Sequence, residues 1–429
     1  MSLRPILLFA GMALFFAIVG WWAGLAYVSL IALNAFAYAL IVMGLNIQWG
    51  YGGLFNFGIM GFLMLGGYAV TAIGYPVNGA FWQSDGPMML GRALLAGLAG
   101  AAIVVGAHWL RRHRLKGRLG GALIVFAWIF AYGLYRSQID PAAAYIESDG
   151  GGGWIGGAGL HPLLGWAFGG VLAGAAAYIV GRIALGLRTD YLAIATIGIS
   201  EIIRALLKNA DWLTRGTLTV SPIPWPTPKP EQFQAWGSSI ADSFVHARFG
   251  MLIVVALVLL IALFFVQRAY DGPWGRMMRS IRDNHIAAAS MGKNVKRRQV
   301  EIFVLGAVLM GVGGGILTTI AQIYDPGAYQ PISHTFFLWV ALIVGGAGNN
   351  YGAILGALLI YVSWVVSDPL SQYLFRSTSD FAVSMGWGAI PELEVRASQM
   401  RVFLLGIVII ASLRWAPRGL LPESIRHHA

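Results

Sequence analysis

Residues 267–299 read QRAYDGPWGRMMRSIRDNHIAAASMGKNVKRRQ, the longest strongly charged interval in a chain of 429 residues that is otherwise mostly apolar. Long apolar segments flank it on both sides, so it forms a loop at one membrane face. Arg276, Arg279 and Arg282 recur every three residues, while Met277, Ile281 and Ala288 recur at helical spacing on a neighbouring face. This is the pattern of a short amphipathic helix with one side to protein and one to water or lipid headgroups. Two readings are open on this stretch alone: a solvated basic loop that only fixes orientation, or a docking helix for a partner.

The composition around that loop sets the class. Hydrophobic residues make up 58% of the chain and charged residues 11%, against roughly 25% charged in a soluble domain, so the chain is an integral membrane protein. Its 57 glycines suit close helix contact in lipid. The net charge of +11 sits in short loops between apolar spans, where it sets orientation and does not signal nucleic acid. With no cysteine, disulfides, thiolate catalysis and cysteine-based metal sites are excluded. The first apolar segment lacks a small-residue cleavage site and runs into another span, so it reads as a retained helix.

A membrane span needs about 20 apolar residues. Twelve intervals qualify or nearly so: 5–23, 25–43, 53–73, 89–110, 119–136, 161–181, 189–207, 249–267, 301–321, 335–347, 352–367 and 401–415, with 335–347 and 352–367 too short for ordinary spans. The expected fold is an all-α polytopic membrane protein of about 10–12 transmembrane or broken helices, forming one domain over 1–429. If Arg4 and the N-terminus are cytoplasmic, the basic run 111–118 (Arg111, Arg112, Arg114, Lys116, Arg118) and the 267–299 loop fall on that side, as does the C-terminus. The acidic 137–160 segment, with Asp140, Glu147 and Asp149, falls outside, and 208–248 and 368–400 are expected as periplasmic loops. Within these, 149–159 (DGGGGWIGGAG) reads as flexible and 221–230 (SPIPWPTPKP) as extended chain.

Polar residues inside the spans mark candidate sites. Glu201 and Arg204 lie three apart in DYLAIATIGISEIIRALLKN, where they share a helix face and can pair. Ionisable groups at membrane depth are costly and turn to the bundle interior, as a substrate or ion site or as a structural pair. Thr196 and Ser200 precede them in the same segment. The stretch 44–68 carries seven glycines before Gly67, together with Asn46, Gln48 and Asn56, which disfavours a continuous regular helix. A second Gly-rich break, GGAGNNYGAILG, lies at 345–356. Transporters place substrate sites at such paired interruptions, although tight packing of ordinary helices gives the same composition. Asn46, Asn56, Thr196, Glu201 and Arg204 are therefore the candidate substrate-pathway residues. There is no G-x-x-x-x-G-K-[ST] phosphate loop, no metal-ligand spacing among the eight histidines and no nucleophilic constellation, so transport is favoured over catalysis.

Five blocks in order resemble the permease subunits of branched-chain amino acid ABC importers, of the LivM type. They are GLNIQWGYGGLFNFGIMGFLMLGGYAV, GLRTDYLAIATIGISEIIRALLKN, RSIRDNHIAAASMGKNVKRRQVEIFVLGAVLMGVGGGIL, LWVALIVGGAGNNYGAILGALLI and RWAPRGLLP, reaching from about residue 40 to 422. The resemblance implies an ABC-importer permease fold in the bacterial inner membrane. It implies partners: a second permease subunit, two cytoplasmic ATPase subunits that carry ATP-Mg, and a periplasmic substrate-binding protein. The chain itself is then no enzyme and binds no cofactor. The resemblance also makes 267–299 the coupling loop that enters an ATPase groove, through Arg279, Arg282, Asp283, Ala287, Ala288, Gly292 and Asn294. The implied substrates are leucine, isoleucine and valine. The alternatives are urea or short amides, carried by members of the same family, and a stand-alone secondary transporter or channel. Where the family tends to have a Gly-Gly-Pro-Asn-Gly run, this chain has Arg215-Gly216-Thr217-Leu218-Thr219, which leaves the substrate class open.

Overall fold

The computed structural model describes residues 3–114, 117–330, 332–388 and 391–423; Lys116 and both chain ends, whose sidedness the sequence addresses, lie outside them. The fold is helical throughout, and the strand-like pairings among the described residues are two isolated bridges. Fourteen helices carry the description: α1 (Leu3–Ala23), α2 (Leu25–Leu45), α3 (Ile59–Gly74), α4 (Gly86–His113), α5 (Arg118–Glu147), α6 (Pro162–Ala184), α7 (Thr189–Asn209), α8 (Ile240–Asp271), α9 (Pro273–Asp283), α10 (His285–Ser290), α11 (Val295–Ala321), α12 (Phe337–Gly345), α13 (Asn350–Ser384) and α14 (Leu393–Trp415). Nine helices among the described residues are long and apolar enough to cross a membrane, and α3 and α12 are shorter apolar helices.

The core is built around α11, which packs on α2, α3 and α6. Glycine lets these backbones meet. A methyl group added to Gly66 would collide with the Gly311 carbonyl, one on Gly311 with the Gly169 carbonyl, and one on Gly44 would lie 2.6 Å from the Gly306 carbonyl. Lipid tails are as apolar as leucine, so association in a membrane rests on this close packing and on polar contacts. The peripheral helices α1, α4, α5 and α14 bury little of themselves. The α4–α5 hairpin has a small cluster of its own, Val104 and Ala107 against Ala127 and Ala131.

Both Gly-rich breaks are real. After α2 the chain widens into a π-helix, Asn46–Tyr51, and then leaves helix altogether before α3. After α12, Gly346 (φ 114°) and Gly348 (φ 80°) occupy left-handed conformations that only glycine adopts without strain.

Four expectations need correction. The segment 368–400 is not an open loop, because α13 continues to Ser384 and α14 begins at Leu393. Its polar composition hid the helix from a hydropathy reading, and so did Pro369. That proline removes the N–H due to Val365, whose carbonyl instead lies 3.5 Å from the Tyr27 hydroxyl. The 208–248 loop ends early, since the Ser239 hydroxyl accepts from the Asp242 N–H at 3.1 Å and starts α8 at Ile240. The 149–159 loop is tied down on the end of α3, with Ala158 N donating to Ala72 O (2.8 Å) and Leu160 N to Ile73 O (2.9 Å). The basic loop is two short helices, because Asn284 breaks α9 and caps α10 by accepting from Ile286 N and Ala287 N.

The glycine seam predicts that Gly311→Val destabilises the fold by about 3 kcal/mol or more, since backbone lines the site and cannot yield. Gly106→Val, with nothing within 4 Å of the added group, should be neutral. Thermal melting of the two purified variants checks this, and equal melting temperatures would remove the seam from the account of stability.

Candidate coupling and translocation sites

The two breaks, far apart in sequence, meet in the buried interior. Asn46 donates from Nδ2 to Asn350 Oδ1 (3.1 Å) and accepts from Gly348 N (2.8 Å), with both asparagines at most 1% exposed. The Tyr51 hydroxyl also donates to Asn350 Oδ1, and Asn350 Nδ2 donates to Gln267 Oε1 at 2.9 Å, near the end of α8. The C-terminal segment closes the junction. Leu420 N and Leu421 N donate to the Val344 and Gly345 carbonyls at 2.9 Å, taking up acceptors that the end of α12 leaves open.

The basic loop is fastened to this junction by Arg282. Its Nη1 donates to the Gly50 carbonyl in the π-helix. Its Nη2 lies 3.0 Å from the Glu423 carboxylate, and its Nε lies 3.0 Å from Asp283. The paired side chains of Arg282 and Glu423 are 22% and 17% exposed. Burial works against the Arg282 charge, but the Glu423 and Asp283 carboxylates outweigh it and hold its pKa above the ordinary arginine value. Glu423 also accepts from the Tyr270 hydroxyl at 2.9 Å. The Tyr270 ring stacks on Tyr51 at 4.4 Å between centroids and carries the Arg279 guanidinium 4.5 Å from its centre.

The seven residues expected to face an ATPase therefore divide. Arg282 and Arg279 contact their own chain as just described, and Ala288 is the buried residue of α10. Asn294 caps α11 by accepting from Arg297 N at 3.1 Å. Asp283, Ala287 and Gly292 are exposed, and Gly292 closes α10 in a left-handed conformation (φ 77°). Two exposed apolar side chains join them that the sequence reading passed over, Ile286 at 69% and Met291 at 80%. Their signal was available: large apolar residues in a loop whose other apolar positions turn inward.

The five substrate-pathway candidates are not brought to one place. Asn46 belongs to the junction. Asn56 is fully buried, donating to Gln48 Oε1 (2.8 Å) and accepting from Gly58 N (2.8 Å). Thr196 is its neighbour through the backbone, since Thr196 Oγ1 accepts from Phe57 N at 3.0 Å. Glu201 and Arg204 pair at 3.5 Å on the partly open side of α7, and Arg204 also donates to the Tyr329 carbonyl at 3.2 Å. A cage of aromatic rings flanks the first break. Trp339 stacks on Phe57 and Phe55, meets Trp49 at 4.9 Å between centroids, and donates to the Asn56 carbonyl at 3.1 Å. Among the described residues there is no group of three or more His, Asp or Glu side chains that could hold a metal.

Apolar helices of spanning length around a buried, polar pair of helix breaks define a multi-pass membrane protein. Residues 119–413 match the model of the family described as "Branched-chain amino acid transport system / permease component", and the chain belongs to that family. It is 27% identical over 264 residues to the high-affinity branched-chain amino acid transport system permease protein LivM of Escherichia coli, covering 59% of this chain and 56% of that protein. It is 26% identical over 257 residues to the probable branched-chain amino acid transport permease protein LivM of Methanocaldococcus jannaschii, covering 59% of this chain and 67% of that one. The probable permease protein LivH of the same organism is 32% identical over 109 residues, covering 25% of this chain and 33% of LivH. The chain spans about half the length, 56%, of the Escherichia coli and Salmonella typhimurium LivM proteins it matches. No solved structure matches.

If Arg282 and Glu423 fasten the loop as a pair, Arg282→Glu and Glu423→Arg should each destabilise by about 3 kcal/mol. The double swap should recover at least half of that. Melting temperatures and the rate of proteolysis within 284–294 measure the effect, and a double variant no better than the worse single one would dismiss the pairing.

Proposed function

We propose that this chain is the transmembrane permease subunit of an ATP-driven importer for branched-chain amino acids. The observation that carries the reading is the family match over 119–413, joined to a basic loop that the fold ties directly to the paired helix breaks. The relatives named LivM and LivH support two kinds of permease subunit in one transporter. Two ATPase subunits on the cytoplasmic side, holding ATP-Mg, and a periplasmic binding protein complete the assembly in the inner membrane. The chain contributes no hydrolytic chemistry.

In this reading α9 and α10 dock on an ATPase, with Asp283, Ile286, Ala287, Met291 and Gly292 facing it. Arg282 and Arg279 pass the movement inward, to Gly50 and through Tyr270 to Tyr51. Closing of the ATPases then shifts the π-helix and the second break together and rocks the bundle between outward- and inward-facing states. Glu201 and Arg204, on the partly open side of α7, line the pathway. Their mutual pairing leaves little net charge for a coupling ion, which argues against an ion-driven stand-alone carrier. Urea or short amides remain the second substrate class because Arg215–Thr219 departs from the family run.

Uptake of labelled leucine and urea into proteoliposomes carrying the whole complex tests the reading. ATP-dependent leucine uptake is expected; uptake by this chain alone without ATP would overturn it. Met291→Asp and Ile286→Asp should each weaken co-purification of the ATPase by about tenfold or more with the melting temperature unchanged. Undiminished co-purification would move docking off α10.

A further inference from the structure

A groove of about 870 Å³ lies between α6 and α11, beside the start of α9, away from the junction of the two breaks. Its rim is cationic. Arg182 comes from the last turn of α6, and Lys296 and Arg297 from the first turn of α11. The lining has one carboxylate, Glu301, and it is already taken by Arg297 at 3.3 Å and Arg298 at 2.7 Å. Arg182 is left with the Tyr178 hydroxyl at 3.0 Å, and Lys296 makes no ion pair among the described residues. Two exposed cations thus share a rim without a compensating acid.

The wall beneath the rim is apolar. Val304 and Leu305 line it from α11, with Leu305 46% exposed, and α6 carries exposed Ile179 and Ile183 next in sequence to the lining Tyr178 and Arg182. In a membrane an exposed stripe of this kind at the end of a spanning helix meets acyl chains. Trp274 also lines the groove, and tryptophan suits the headgroup layer of a membrane. An apolar slot that ends in unpaired guanidinium and ammonium groups matches a molecule with acyl tails and an anionic head. Phosphate is the natural partner of that pair, since guanidinium binds it bidentately and ammonium as a point charge.

We propose that this groove is a binding site for an anionic phospholipid, its phosphate held by Arg182 and Lys296 and an acyl chain lying along Val304 and Leu305. Because Trp274 belongs to α9, an occupied groove also braces the basic loop against the bundle. The site differs from general attraction of basic loops to the membrane surface in that it needs both the rim cations and the slot.

The full chain, purified in detergent and titrated with phosphatidylglycerol or with phosphatidylcholine of the same acyl chains, gives the test by native mass spectrometry. Phosphatidylglycerol should be retained in preference to phosphatidylcholine. Arg182→Gln and Lys296→Gln should each lower its retention about fivefold, and the double variant about 25-fold. Both residues are exposed, so folding is preserved. The Arg111→Gln/Arg112→Gln variant, which removes two cations from the peripheral α4 end, should retain the lipid as the parent does. Equal retention of the two lipids, or equal loss in the two double variants, overturns the proposal. So does displacement of the lipid by an equal concentration of inorganic phosphate, which would make the rim a free-anion site. If the Arg182/Lys296 variant keeps its lipid but loses co-purifying ATPase, the groove is a protein contact and the lipid assignment falls.

Discussion

Two helices stop inside the buried part of this bundle, and a helix that stops there leaves backbone donors and acceptors with no water to receive them. The chain answers by setting the two interruptions against each other. Asn46 receives the Gly348 N–H and reaches Asn350, while Leu420 and Leu421 supply N–H groups to the last carbonyls of α12. Each break would be a defect alone; together they form a closed polar junction. Its position dictates where the C-terminal segment lies, why Gly346 and Gly348 take left-handed conformations, and where the basic loop finds its anchor.

That anchor joins chemistry to mechanics. A basic loop at a membrane face is usually a matter of orientation, with its cations in water. Here one cation points back into the protein and binds both a backbone carbonyl of the π-helix and a carboxylate of the C-terminal segment. A paired, partly buried arginine is a stiff connection, because moving it strands either a carbonyl or a carboxylate in a poorly solvated place. Through it, α9 is tied to the first break. The glycine seam around α11 supplies the complementary property, a set of backbones packed closely enough to move as rigid pieces.

Much of this was legible in the residues. Each of the twelve apolar intervals overlaps a helix, but 53–73 begins in the broken chain before α3. The helices over 53–73, 189–207 and 335–347 are not among the nine described ones long and apolar enough to span. The glycine clusters at 44–68 and 345–356 mark true interruptions. The limits of hydropathy show at α13, where a helix continues through SDPLSQYLFRSTSDFAVS with the polarity of a loop. They show again at 267–299, where helical spacing was right but Asn284, a strong N-cap, divides one helix into two. Asn46 and Asn56, singled out as candidates for a substrate pathway, are buried, and nothing in the sequence said that protein atoms satisfy both.

The amino-acid sequence by itself determined the class, most of the spans, the breaks and the basic loop, because apolar runs, glycine content and charge act locally and are read off in order. Only the tertiary structure decided that the loop belongs to the junction. Arg282 and Glu423 lie far apart in the chain, as do Asn46 and Asn350, and each pair meets only once α2, α12 and the C-terminal segment have packed. For Arg282 the difference is direction. Its spacing placed it on a helix face shared with water, and the packing of α9 beside the π-helix turned its guanidinium inward, to the Gly50 carbonyl and the Glu423 carboxylate.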